Sequence, residues 1–206
     1  MQDLQGTIHP VQLSSALFPL LRSQLVGELL TWLYLRTDES FSVVELSRHF
    51  GTSQPTMSRE ADRLVSAGLV LEQRRGNMRL LRANLDTPLA RPLTELLVLT
   101  YGPAVVLGEL LATVDGVREA LIYGSWAARY SGEAGPVPRD VDVLVVGSAD
   151  EDVLFDAARA AERRLGREVN VRQVSVATWE STDDNPFLAS VRGRPTVQLE
   201  LRRESS

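Results

Sequence analysis

The sequence predicts an α+β protein in two domains, and three observations carry that prediction. Apolar residues recur at helical spacing through most of residues 14–66. Two short segments then flank the turn Arg74-Arg75-Gly76-Asn77 and read as a β-hairpin. From about residue 118 onward, apolar strands alternate with helical segments, the pattern of a mixed sheet with flanking helices. The boundaries read from the chain are a domain over 1–85, a helical linker over 86–115 and a second domain over 116–206.

Composition narrows the functions available. The chain of 206 residues has no cysteine, which excludes disulfides and thiolate metal sites, and its two histidines (His9 and His49) cannot make a multi-histidine centre. No run approaches the ~18 consecutive apolar residues of a membrane span. Met1–Pro10 lacks the basic-then-apolar order of a secretory leader, so a cytoplasmic protein without membrane contact is expected. The formal charge is −5, yet residues 46–84 carry seven arginines against three acids. One basic segment in an acidic protein points to local contact with a polyanion.

Within the first domain, Leu21, Leu25, Leu29, Trp32 and Leu33 place a core-facing helix over about 14–36. Ser42-Val43-Val44-Glu45 is a capping box that opens a short helix, which Gly51 ends. Thr52 or Ser53 caps the next helix, with Pro55 tolerated in its first turn. Its inner stripe is Met57, Ala61, Leu64 and Val65; its outer face presents Gln54, Thr56, Ser58, Arg59 and Arg63. Hydroxyls, amides and guanidiniums on such a helix can reach base edges and phosphates in a major groove. Gly68 closes the helix, and the hairpin pairing Leu69–Gln73 with Met78–Arg82 follows.

This order of elements, over roughly 14–84, resembles the ArsR/MarR-like winged helix-turn-helix domains. The segment from Ser53 to Arg59 looks like their recognition helix. The resemblance implies contact with double-stranded DNA through Ser53, Gln54, Thr56, Ser58, Arg59 and Arg63 on the helix and Arg74, Arg75 and Arg79 on the wing. A winged helix also serves elsewhere as a protein-interaction module. Between the domains, helices over Leu93–Tyr101 and Pro103–Val114 are broken at Gly102-Pro103. Their apolar density suits packing between domains or across a homodimer, and two-fold regulators bind two half-sites.

In the second domain, Glu119–Tyr123 reads as a strand ending at Gly124-Ser125, with a helix over Trp126–Tyr130. After a Gly/Pro-rich loop, Asp140-Val141-Asp142 opens the apolar strand that runs to Gly147. A Gly-Ser turn offers backbone N–H groups and a hydroxyl to a phosphate. Asp140 and Asp142, two apart on a strand, share a face and suit Mg²⁺ bridging a nucleotide's phosphates. A helix over 150–165, a strand over 168–176, a short helix opened by Asn185 and a strand over 196–201 complete the pattern.

The run "YGSWAARYSG…RDVDVLVVG" resembles the small nucleotidyltransferases of the polymerase-β superfamily. That resemblance implies Gly124 and Ser125 on the triphosphate of an NTP and Asp140 and Asp142 on Mg²⁺. It departs from the family where a third acid is expected, since Asn170 stands there. Asparagine supplies neither negative charge nor a general base. Glu168, two residues earlier on the same face, is the substitute candidate. Trp126 stands where a polar or basic residue is frequent. Three functions follow: a DNA-binding transcriptional regulator that senses a nucleotide, an active nucleotidyltransferase acting on a protein, RNA or small-molecule hydroxyl, or a toxin–antitoxin-type component whose winged helix grips a partner protein.

Overall fold

The computed structural model describes residues 21–133, 135, 137–181 and 185–201. The chain divides between Tyr101 and Gly102 into two compact units. That break falls inside the 86–115 segment, at the predicted Gly102-Pro103 interruption.

In the N-terminal unit, helix α1 (Gln24–Tyr34) buries Leu29, Leu30, Leu33 and Tyr34. The helix expected over 14–36 is interrupted among the described residues at Arg22-Ser23, between helical Leu21 and Gln24, and its portion over 14–20 lies outside them. Arg22 takes a positive φ of 62° and Ser23 is extended, with its hydroxyl capping the Val26 N–H. A serine whose side chain can replace a helical bond starts a new helix in preference to continuing an old one. Strand β1 (Phe41–Ser42) leads into α2 (Val43–His49), where the Ser42/Glu45 capping box forms as expected. Ser53 is the cap of α3 (Gln54–Ser66), which buries Met57, Ala61 and Leu64 and leaves Val65 half-buried.

Strands β2 (Val70–Arg75) and β3 (Met78–Ala83) pair antiparallel to Arg75↔Met78, so the loop is Gly76-Asn77 alone. The turn is two residues shorter than the Arg74–Asn77 turn read from sequence. Gly76, at φ +60°, supplies the backbone a two-residue hairpin needs. β1 adds to the other side of β3. The open end of the hairpin is tied down by Tyr34, whose hydroxyl donates to Leu69 O at 2.8 Å, and by Asn84 Nδ2 donating to Gly68 O at 2.7 Å. Helix α4 (Ala90–Tyr101) lays Leu97 and Tyr101 into the same core.

The C-terminal unit begins with α5 (Pro103–Ala112), which buries Val106, Leu107 and Leu111. Much of the apolar surface of the 86–115 segment is therefore used inside the two units. By length and composition Ala90–Ala112 could cross a membrane, with a mean hydropathy of 1.5, although 56% of that window is buried.

The remaining elements are β4 (Val117–Tyr123), α6 (Gly124–Tyr130), β5 (Asp140–Gly147), α7 (Glu151–Leu165), β6 (Glu168–Val174), α8 (Val176–Glu180), α9 (Pro186–Arg192) and β7 (Val197–Gln198). The sheet order is β6-β5-β4-β7, with β5 and β6 parallel and the other pairs antiparallel. α7 makes the crossover that parallel strands require, capped by Asp150 and ended by Gly166 at φ +63°. β5 is buried from Val143 to Val146, as a central strand covered on both faces should be. On one face Leu121 and Leu144 pack against Leu188 and Val191 of α9.

Gly27 sits in the middle of α1 against Tyr101, and a Cβ there would overlap the Tyr101 ring. Gly→Ala in an exposed helix gains up to ~1 kcal/mol, whereas overpacking a core costs ~1–3 kcal/mol. Gly27→Ala therefore lowers the midpoint of urea unfolding without changing the slope. A raised midpoint would show that the ring swings clear at no cost.

Candidate functional site

The carboxylates of Asp140 and Asp142 come together as the alternation predicts. Residues of β5 on their face run Asp140, Asp142, Leu144, and the in-register partners on β6 are Glu168, Asn170 and Arg172. Leu144 lies under α9, so the carboxylates continue a buried apolar face past the point where that cover ends. Asn170 Nδ2 stands 3.4 Å from Asp140 Oδ2 and 3.4 Å from Asp142 Oδ1. Both bonds are long, but their placement is informative: one neutral amide donates to two like charges where a third acid was expected. A carboxylate there would add repulsion.

Asp142 faces Tyr123 across the β4–β5 ladder, and Gly124 lies against it. A Cβ on Gly124 would come within 2.8 Å of Asp142 Oδ2, and φ at Gly124 is +72°. The glycine is needed both for its backbone angle and for this approach. Ser125 is exposed beside it, and the side chain of Tyr123 makes no capping bond to the first turn of α6. Burial raises the pKa of Asp142; the Asn170 bond lowers it in part, and the Asp140 charge raises it again. Glu168 is exposed beside Asp140. Among the described residues, no group of three or more His, Cys, Asp or Glu stands close enough to hold a metal ion.

Sequence reasoning missed the aromatic flank of this site. Arg172 places its guanidinium 3.8 Å over the Phe187 ring, and Phe187 meets Tyr123 edge-on at 5.6 Å. Tyr123 is shifted upward by burial first and the Asp142 charge second, with Arg172 opposing. The period of two did mark Arg172 as sharing a face with Asn170; Phe187 arrives through a long-range fold. Trp126, the unusual residue of the Gly-Ser helix, is turned into the core, where Arg167 lies over its ring.

In the N-terminal unit, Ser53, Gln54, Arg59 and Arg63 lie on the exposed side of α3, and Thr56 and Ser58 are half-buried. Thr56 is tied to the Ser53 cap, Arg59 reaches Thr56 at 3.4 Å, and Arg63 pairs with Glu60. Arg74 and Arg75 are both exposed at the hairpin tip, but neighbours on a strand point to opposite faces of the ribbon. Arg74 is 81% exposed and only loosely paired with Glu72 at 3.7 Å. Arg79, in contrast, is engaged by Asp62, Glu72 and Ser58.

The described residues thus form a mixed α+β chain with two sheets, one in each compact unit. No protein-family model and no curated protein matches the chain. Among solved structures, the transcriptional regulator BldR from Sulfolobus solfataricus is similar at 21% identity and a TM-score of 0.38, covering 50% of this chain and 70% of that one.

The upward shift of Asp142 sets a stability test. The folded chain binds that proton more readily than the unfolded chain, so stability is lost as pH rises through the folded value. Asp142→Asn removes the cost of ionisation and raises the melting temperature at neutral pH. The gain shrinks as pH falls through the folded value and is gone below the ordinary aspartate value of 3.8. A variant that melts lower at neutral pH would show a carboxylate held by its partners, not penalised by burial.

Proposed function

We propose that this protein is a DNA-binding regulator whose N-terminal unit works as a winged helix-turn-helix. The observation that carries the reading is the division of α3 into two sides. Met57, Ala61 and Leu64 fill the core, while Gln54, Arg59 and Arg63 are left outward beside a hairpin with Arg74 and Arg75 at its tip. A helix so divided can enter a major groove with its polar side, while tip arginines reach the phosphates alongside. The test is a salt titration of binding to a mixed-sequence duplex. Replacing both Arg74 and Arg75 with alanine lowers the log–log slope by up to ~2, about 0.9 for each lost phosphate contact. An unchanged slope would take the hairpin off the DNA.

A second reading concerns the C-terminal unit, and the close approach of Gly124 to Asp142 favours it. We infer that this corner takes a nucleoside triphosphate with Mg²⁺, held by Asp140 and Asp142. Mg²⁺ commonly uses one or two carboxylates and completes its shell with water and phosphate oxygens, so this donor set fits one ion together with a nucleotide. Bound there, the ion would neutralise phosphate charge. Gly124 lets the start of α6 approach Asp142 closely, and exposed Ser125 beside it offers a hydroxyl to a phosphate. Asn170 provides no base for an acceptor hydroxyl, and losing a well-placed base costs ~10²–10⁴ in rate. The unit then acts as a sensor, since a ligand that binds two states unequally shifts their balance. Calorimetry with Mg²⁺ and each NTP gives binding heat for the wild type and none for Asp140→Asn/Asp142→Asn, and a labelled-NTP transfer assay stays near background. Absence of heat with the wild type sinks the nucleotide reading; robust transfer abolished by Glu168→Gln replaces the sensor with an enzyme.

A further inference from the structure

Arg79 stands where the core-facing side of the hairpin runs out. On that side of β3 the residues are Ala83 and Leu81, both buried, and then Arg79. Across the ladder it faces Arg74, a like charge that by itself would push the strands apart. The guanidinium turns instead toward α3 and β2. Nε donates to Glu72 Oε2 at 2.9 Å and Nη2 lies 2.8 Å from the same oxygen; Nη2 also reaches Asp62 Oδ1 at 2.7 Å, and Nη1 donates to Ser58 Oγ at 3.0 Å. Ser58 and Asp62 are four apart on α3 and so occupy one helix face. A single planar fork thereby joins α3, β2 and β3. Its side chain is 19% exposed, against 81% for Arg74, and two carboxylates more than offset its charge.

We propose that Arg79 is a positioning residue for duplex binding: it fixes the hairpin against α3 and does not itself contact nucleic acid. This rests on the DNA-binding reading and deepens it. A hairpin held at one angle to the helix presents both elements to a groove without paying to order them on contact. With Arg79 engaged, the charge at the hairpin tip available to phosphates is that of Arg74 and Arg75, with Arg82 exposed farther along β3.

Two variants of the full chain test the proposal, Arg79→Met and Glu72→Met. The second leaves Asp62 and Ser58 on Arg79, so it loosens the tie without removing it. Two readouts are needed: hydrogen exchange of the amides of residues 70–83 in the free protein, and salt-dependent binding to a mixed-sequence duplex. Both variants speed hairpin exchange by about tenfold, the mark of a local opening. Both weaken binding by about tenfold with the wild-type salt slope, because no phosphate contact is lost. Glu72→Met is decisive, since it removes a negative charge: attraction to phosphates alone predicts tighter binding, positioning predicts weaker. The proposal is overturned by a slope that falls by ~0.9 in Arg79→Met, by tighter binding of Glu72→Met, or by unchanged exchange in both. A wild-type chain that does not bind duplex sinks the DNA-binding reading and any role of Arg79 in it; in that case accelerated exchange marks a purely structural tie.

Discussion

Successive side chains on a β-strand point to opposite faces, and here that alternation assigns the charged groups their tasks. On β5 it sets Asp140 and Asp142 in line with Leu144, so two carboxylates prolong an apolar face beyond its cover. On β3 it sets Arg79 in line with Leu81 and Ala83, which carries a guanidinium to the edge of a core. At the hairpin tip it separates Arg74 from Arg75. A register slip of one residue would reverse each assignment and turn charges into the interior.

The edges of the two cores meet the cost of charge in opposite ways. Around Arg79, excess acid is gathered on one cation, and all its donors are aimed at α3 or β2. Such a cluster is worth little as a surface ion pair counted by strength. Its value is geometric, because a planar fork with several partners has one good orientation. Around Asp142, among the described residues, the two carboxylates share the neutral amide of Asn170 at 3.4 Å. One charged edge is thereby tied by ionic hydrogen bonds, the other only by a neutral amide.

Local chemistry was legible in the chain. The capping box at Ser42, the Ser53 cap, the inner stripe of α3, the break at Gly102-Pro103 and the shared face of Asp140 and Asp142 depend on spacings of two to four residues. Short spacings survive folding because backbone geometry alone sets them. The interruption at Arg22-Ser23 was not legible because Ser23 competes with the helix through its own hydroxyl, a contest in which apolar periodicity has no voice. The hairpin turn was drawn too wide because ladder bonding extends to Arg75 and Met78, and polar composition at the tip concealed it.

What the sequence determined by itself is which residues share a face and where each helix is capped, since both follow from the two backbone periods and the side-chain oxygens next to them. Only the tertiary structure decided which face is covered and which partner each charge finds. Arg79 reads as a DNA-contacting arginine of the wing until α3 brings Ser58 and Asp62 to it, and the sequence does not show that exposed Arg172 lies over the Phe187 ring. Pairings across fifteen to twenty-one residues carry no local signature, because the energy that selects them comes from packing whole elements together.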